Sequence, residues 1–268
     1  MCSVTTNQIT LSILIPAYNY FEGFRRTFES LYVDNKKIEY IVSDDSESDM
    51  IKNYMSRLDK RNITYVKNTP ALGAVKNWNS LISNASGEYV WICHHDEYLE
   101  EPSDIQQIIQ HLAKSDTEVI ILRTIIQFSN SFKLPHFPSF FVKWCLNYDH
   151  SFITRKNYIG PMSTIIVKKN ICRRFDDKLR WFVDVIWYLE ILEKYPKILF
   201  LPDIYISSVQ NNPYSITKEI ENDLTKIKNY EKYLIRRRSK FRPSTVISYF
   251  MWIVSSAYRR WGSFINGR

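Results

Sequence analysis

The sequence has no cysteine framework. Its four cysteines, Cys2, Cys93, Cys145 and Cys172, lie far apart with no CxxC pair and no Cys/His ligand spacing. That argues against a disulfide scaffold or a zinc module and for a reducing compartment. No secretory leader is expected either: Met1-Cys2-Ser3-Val4-Thr5-Thr6 offers neither a basic stretch nor a long apolar one. No apolar run reaches the ~20 residues of a membrane-spanning helix; the stretch from Val246 to Tyr258 is shorter and interrupted by serine. These absences predict a cytoplasmic protein. There is no repeat, no low-complexity tract and no nucleic-acid motif. The net charge of +8 gathers at the C-terminal end, in Arg236, Arg237, Arg238, Lys240, Arg242, Arg259, Arg260 and Arg268, so nucleic acid is not an expected partner.

What is present is alternation. Leu11–Ile15 is a compact apolar run ended by Pro16 and reads as a buried strand. Phe21–Val33 has apolar residues at helical spacing, Ile38–Ser43 is a second strand, and Ser46–Leu58 is a helix with Ser46 as its expected cap. Ile63–Val66, a helix over Ala71–Ala85 and the strand Tyr89–Cys93 complete a β-α-β-α-β-α-β order, which predicts a mostly parallel sheet with helices on both faces. Beyond it, Glu118–Ile126 and Ser163–Val167 read as strands, Phe128–Pro138 as a loop, and Val183–Leu192 as an amphipathic helix. Ile198–Leu201 and Ile204–Val209 read as two short strands, Thr217–Arg238 as a charged helix, and Ser244–Trp261 as a last amphipathic helix. The expected division is one α/β domain over 1–215, in two halves (1–100 and 101–215), followed by a basic helical extension over 216–268.

In open α/β sheets ligands bind beyond the carboxyl ends of the strands. Four polar or aromatic clusters fall there: Pro16-Ala17-Tyr18-Asn19, Asp44-Asp45-Ser46, Asn68-Thr69-Pro70 and His94-His95-Asp96-Glu97. Tyr18 can stack on a base. Asp44 and Asp45 can accept hydrogen bonds from a nucleobase or ribose, or cap a helix. Asp96 and Glu97 are the hard oxygen donors that hold Mg²⁺ or Mn²⁺ beside a diphosphate.

Taken in order, Pro16-Ala17-Tyr18-Asn19, Ile41-Val42-Ser43-Asp44-Asp45-Ser46, Asn68 with Gly73 and Asn79, and Gly87-Glu88-Tyr89-Val90 followed by His94-His95-Asp96-Glu97 resemble the signature of the inverting family-2 glycosyltransferases of bacterial surface-polysaccharide synthesis. The resemblance implies the GT-A fold, a nucleoside-diphosphate-sugar donor (a UDP-sugar favoured), a saccharide or lipid-linked saccharide acceptor, and Mn²⁺ or Mg²⁺. It implies that Pro16, Ala17, Tyr18, Asn19, Asp45, Gly73, Asn79 and His95 form the nucleotide pocket. Asp96 matches the last acid of the family's D-x-D metal element, and His94 stands where the first acid would be. The family's general base is an acid on a later helix. Asp184 falls at the second position of the corresponding pair, Val183 replaces the first, and Asp176 and Asp177 are fallback candidates. Taken alone, Asp184 reads as an acid pairing with a helix N-terminus.

The departures at His94 and Val183 leave a second reading, a catalytically inactive nucleotide-sugar-binding or scaffold protein. In Gln210–Ser215 the histidine that many family members use against metal or diphosphate is absent. Basic residues flanking Tyr249, Phe250, Trp252, Ile253, Tyr258 and Trp261 suit either a helix lying on an anionic membrane surface, which would place the protein peripherally on the inner face of the cytoplasmic membrane, or packing against the core or a second chain, which keeps an oligomer open.

Overall fold

A computed structural model describes residues 9–58, 60–129, 132–148, 150–194, 197–209, 221–238, 253, 257 and 258. Strand β1 (Leu11–Ala17) is buried at every position, as expected of a parallel strand covered on both faces. Helix α1 (Phe21–Leu31), β2 (Ile38–Asp44), α2 (Met50–Met55), β3 (Ile63–Lys67), α3 (Ala74–Asn84) and β4 (Tyr89–Ile92) follow. Next come β5 (Glu97–Leu99), α4 (Asp104–Lys114), β6 (Val119–Ser129), β7 (Phe132–Pro135), α5 (Ser139–Tyr148), β8 (Ile165–Lys168), α6 (Val183–Leu192), β9 (Ile198–Val209) and α7 (Leu224–Arg238). The strands form one sheet in the order β3-β2-β1-β4-β8-β6-β9-β5, with β7 paired to β6.

Alternate residues of β1 enter two cores. Leu14 packs with Ile41, Trp78 and Ile92 on one face; Leu11, Ile13 and Ile15 pack with Phe24, Phe28 and Tyr40 on the other. Pro16 costs the sheet no hydrogen bond. Leu14, two residues earlier and so facing the same neighbour, accepts from Cys93 N at 2.9 Å, and the pairing with β4 ends there.

Register places the site. Ala17 lies opposite Asp44 and Asp44 opposite Lys67. The turns after β1, β2 and β3 therefore share one rim, tied by Asp45 N donating to Ala17 O and Asn68 N to Asp44 O, both at 2.9 Å. β8 runs antiparallel to β4 with Trp91 opposite Ile166, which brings Ser163 to the carboxyl end of β4.

Several expectations are corrected. Phe128–Pro138 holds β7, which doubles back on β6 despite its prolines because Pro135 ends the strand. Ile198–Val209 is one strand, since Pro202 sits where the pairing with β6 shifts register between Ile121 and Arg123. Helix α2 starts at Met50 rather than Ser46, because the Ser46 hydroxyl accepts from Asn19 N at 2.8 Å instead of capping. Strand β5 and helices α4 and α5 have no counterpart in the sequence reading. The expected helix Ser244–Trp261 lies outside the described residues except at 253, 257 and 258, which are helical. The Gln210–Ser215 segment lies wholly outside them. Among the described residues no helix is long and apolar enough to cross a membrane.

Candidate active site

The first-half rim is a hydrogen-bonded knot. Asn19 has φ 50°, a left-handed conformation asparagine tolerates, and its Oδ1 accepts from Glu47 N at 2.9 Å. Asp45 accepts from Asn68 Nδ2 at 2.7 Å, Leu72 N at 3.1 Å and Gly73 N at 2.9 Å. Asp44 faces the other way and accepts from Ser46 N, the Tyr65 hydroxyl and Lys67 Nζ. Gly73, with φ 81°, turns the chain into α3. Tyr18 stands half-exposed above this rim, while Ala17 is buried beneath it. Because Asp45 holds the 68–73 loop, Asp45→Ala should cost about 1–3 kcal/mol of stability, measured by urea unfolding, through polar groups left unpaired.

Asn79 does not reach the rim. Both ends of its side chain are engaged by the Phe175 backbone, Nδ2 donating to the carbonyl at 3.0 Å and Oδ1 accepting from the amide at 2.8 Å. Asn77, on the same helix, does reach it, donating to Ser43 O at 3.1 Å.

At the end of β4 the groups expected to hold a metal come together. One ligand atom from each of His94, Asp96 and Glu97 lies within 4.8 Å of the others. The His94 ring stacks on Trp78 at 4.9 Å between centroids, and burial pushes its pKa down, so it is a neutral imidazole. Its buried Nε2 has no hydrogen-bond partner among the described residues. Glu97 is buried, its carboxyl pKa pushed up first by burial and then by the neighbouring Asp96 charge, and it accepts a very short hydrogen bond from the Ser163 hydroxyl. Ser163 also receives His94 N at 3.0 Å. His95 turns to the other side, its ring edge-on to Tyr20 at 6.2 Å. Asp96 borders a second cleft of about 430 Å³ between α1 and β5 that Tyr20, Arg26 and Tyr98 line.

Asp184 lies across from this group. α6 is buried nearly all round rather than on one face as expected, because apart from Asp184 and Glu190 its residues are all apolar or aromatic. The Asp184 carboxylate accepts from Asn157 Nδ2 at 3.0 Å and from Val185 N at 2.8 Å. Burial raises its pKa to about 6, against those hydrogen bonds and with a smaller push from Glu231. Pairing with the helix N-terminus alone would have lowered it. Asp184 and His94 line one cavity of about 300 Å³, together with Trp78, Asn157, Arg180 and Trp181.

Residues 12–178 match the family profile described as Glycosyl transferase family 2. The chain belongs to glycosyltransferase family 2. Family membership accords with two solved structures of the same GT-A glycosyltransferase fold. One is S. aureus TarS 1-349 in complex with UDP-GlcNAc, with a TM-score of 0.66 and 14% identity over 87% of this chain and 68% of that one. The other is the mannosyltransferase PcManGT of Pyrobaculum calidifontis in complex with GDP-Man and Mn²⁺, with a TM-score of 0.61 and 15% identity over 87% of this chain and 66% of that one. By sequence the chain is similar to the Escherichia coli UDP-Glc:alpha-D-GlcNAc-diphosphoundecaprenol beta-1,3-glucosyltransferase WfaP, 33% identical over 89 residues, which is 33% of this chain and 36% of WfaP. The chain spans about half the length, or less, of the curated relatives it matches.

Of the residues that the family-2 resemblance pointed to, Tyr18 and Asp45 stand on the strand-end rim, His94 and Asp96 stand together at the end of β4, and Asp184 shares a cavity with His94. Ser163, Asn157 and Trp78 were not singled out. Nothing in local sequence marks them, because each gains its place through a partner far along the chain.

Proposed function

We propose that this chain transfers a sugar with inversion from a nucleoside-diphosphate sugar to a saccharide acceptor, with Asp184 as the general base. The observation that carries this is a partly buried acid of pKa about 6 in the cavity that His94 also lines. Near neutral pH such a carboxylate is ionised yet basic enough to take a proton, which is what a base in this reaction must do. The acceptor hydroxyl oxygen forms its bond to the anomeric carbon while the bond from that carbon to the diphosphate oxygen breaks. The nucleoside diphosphate leaves with the electron pair, and the hydroxyl proton passes to Asp184. Asn157 fixes the carboxylate, and Trp181 supplies a flat apolar face for a sugar ring.

Tyr18, Asp45 and Asn19, with Pro16, Ala17 and Gly73 shaping the turns, are proposed to hold the nucleotide; His95 is assigned beside the diphosphate. A UDP-sugar is the favoured donor, consistent with the UDP-GlcNAc bound by TarS and the UDP-Glc named for WfaP, while PcManGT binds GDP-Man. His94, Asp96 and Glu97 fit Mn²⁺ or Mg²⁺: a neutral imidazole with a free nitrogen and two carboxyl groups make a hard donor set with one nitrogen. When bound, the cation would neutralise charge on the departing diphosphate. The acceptor named for WfaP is lipid-linked, which supports a lipid-linked acceptor and a peripheral membrane setting in surface-polysaccharide synthesis here.

The test is a transfer and donor-hydrolysis screen across uridine, guanosine and deoxythymidine diphosphate sugars, with and without Mn²⁺, on the wild type and Asp96→Ala. The expected result is turnover of one donor class with a Mn²⁺ dependence that Asp96→Ala abolishes, while the fold is retained by circular dichroism. Donor affinity and Mn²⁺ response unchanged in the variant would remove the metal role. Binding without turnover of any donor would favour the inactive nucleotide-sugar-binding reading.

A further inference from the structure

The loop leading into α6 is held from outside the family-matched region. Glu231, on α7, is a glutamate only 2% exposed. Its carboxylate accepts three consecutive backbone amides: Arg180 N at 2.6 Å on Oε1, and Trp181 N at 3.0 Å and Phe182 N at 2.7 Å on Oε2. These amides immediately precede α6, where unpaired N–H groups and the positive end of the helix dipole favour an anion. Two further contacts seat the same face of α7: Ile235, one turn on, is buried in the core shared with α6, and Lys228 Nζ lies 4.1 Å from the centre of the Trp181 ring. The three residues Glu231 grips are wall residues of the cavity that holds Asp184.

The geometry points to Glu231 as a positioning residue for sugar transfer, holding the Arg180–Phe182 wall and the start of α6 so that Asp184 and the acceptor meet in register. This rests on the reading of Asp184 as the base. A surface glutamate making one hydrogen bond would carry no such role; a buried carboxylate closing on three successive amides at the mouth of the cavity does. It touches neither reacting atom. Its effect passes through the wall and, more weakly, through its charge, which adds to the push on Asp184. The other groups facing Asp184 are Asn157 and Tyr188, the Glu97 carboxyl, and His94 and Arg180 in the cavity wall.

The experiment compares Glu231→Gln, Glu231→Asp and Asp184→Asn in the full chain, reading donor affinity, kcat, acceptor KM and the pH profile. Glu231→Gln keeps the size but turns an N–H donor toward backbone donors; a displaced wall should lower kcat/KM for the acceptor by about 10²-fold with donor affinity unchanged. Its acidic limb should also move to lower pH, whereas Glu231→Asp, which keeps the charge but falls short of the amides, should lose rate and keep the limb. Wild-type kcat, acceptor KM and pH limb in Glu231→Gln, with only a lower melting temperature, would overturn the proposal. So would loss of donor binding in both Glu231 variants, since the residue would then serve the fold as a whole. Near-normal turnover in Asp184→Asn would instead sink the reading of the base, and is seen independently of the Glu231 results.

Discussion

Asp184→Asn is expected to cut turnover by ~10²–10⁴-fold at saturating donor and acceptor, the contribution general-base catalysis usually makes. Shape is nearly conserved, so donor affinity should hold. In the wild type, rate should rise with pH through about 6 and then level off, because only the ionised carboxylate accepts a proton. Residual activity in the variant should lack that limb. Stability should move the other way. The folded carboxyl holds its proton up to about pH 6, whereas the unfolded one releases it near 3.8, so between those values the unfolded state binds fewer protons and the wild type loses stability as pH rises. The asparagine variant escapes that loss. Its stability relative to wild type should therefore grow by about 2–3 kcal/mol from pH 4 to pH 7, read by urea unfolding at each pH. Normal turnover in the variant would end the assignment and move attention to Asp176 and Asp177.

Gly160→Ala should be the most damaging single-methyl change near the cavity. Gly160 has φ +116°, and an added Cβ would stand 2.1 Å from the Thr124 hydroxyl oxygen. Thr124 is itself buried and donates to Ile159 O at 3.2 Å, so it has little room to yield. Backbone strain and overpacking together should cost about 2–4 kcal/mol. The damage should reach catalysis as well. The Gly160 carbonyl accepts from Asn157 Nδ2 at 2.7 Å, and that same amide group donates to Asp184. A shifted turn would pull Asn157 off the carboxylate. The expected result is a lower urea midpoint together with a reduced kcat. A midpoint within experimental error of wild type would show that the turn relaxes freely and that Asn157 is not fixed by it.

The alternation of the first hundred residues was legible because parallel strands buried on both faces leave continuous apolar runs, as in Leu11–Ile15, and because each ends at a short polar cluster. The GT-A fold followed from that order and from the family-2 resemblance together. The second half was harder for a physical reason. Glu118–Ile126 and Ser163–Val167 read as strands, but β8 runs antiparallel to both β4 and β6, a direction that periodicity does not encode, and β9 carries Pro202 at a register shift, so it read as two strands. Asp184 stood out only through the family-2 resemblance, and its raised pKa did not, since burial against α6 and the Asn157 contact depend on tertiary packing. Asn79 shows the converse. It stands on the expected helix, but its side chain clamps the Phe175 backbone instead of facing the rim.

The hold of Glu231 on Phe182 also sets an order of events on the ribosome. The two residues are 49 apart in sequence. At the ~5–20 residues per second of chain synthesis, the glutamate arrives several seconds after the loop it secures. The rim proposed to hold the nucleotide, at the ends of strands β1 to β3, is therefore synthesised in full well before the opposite wall has its anchor.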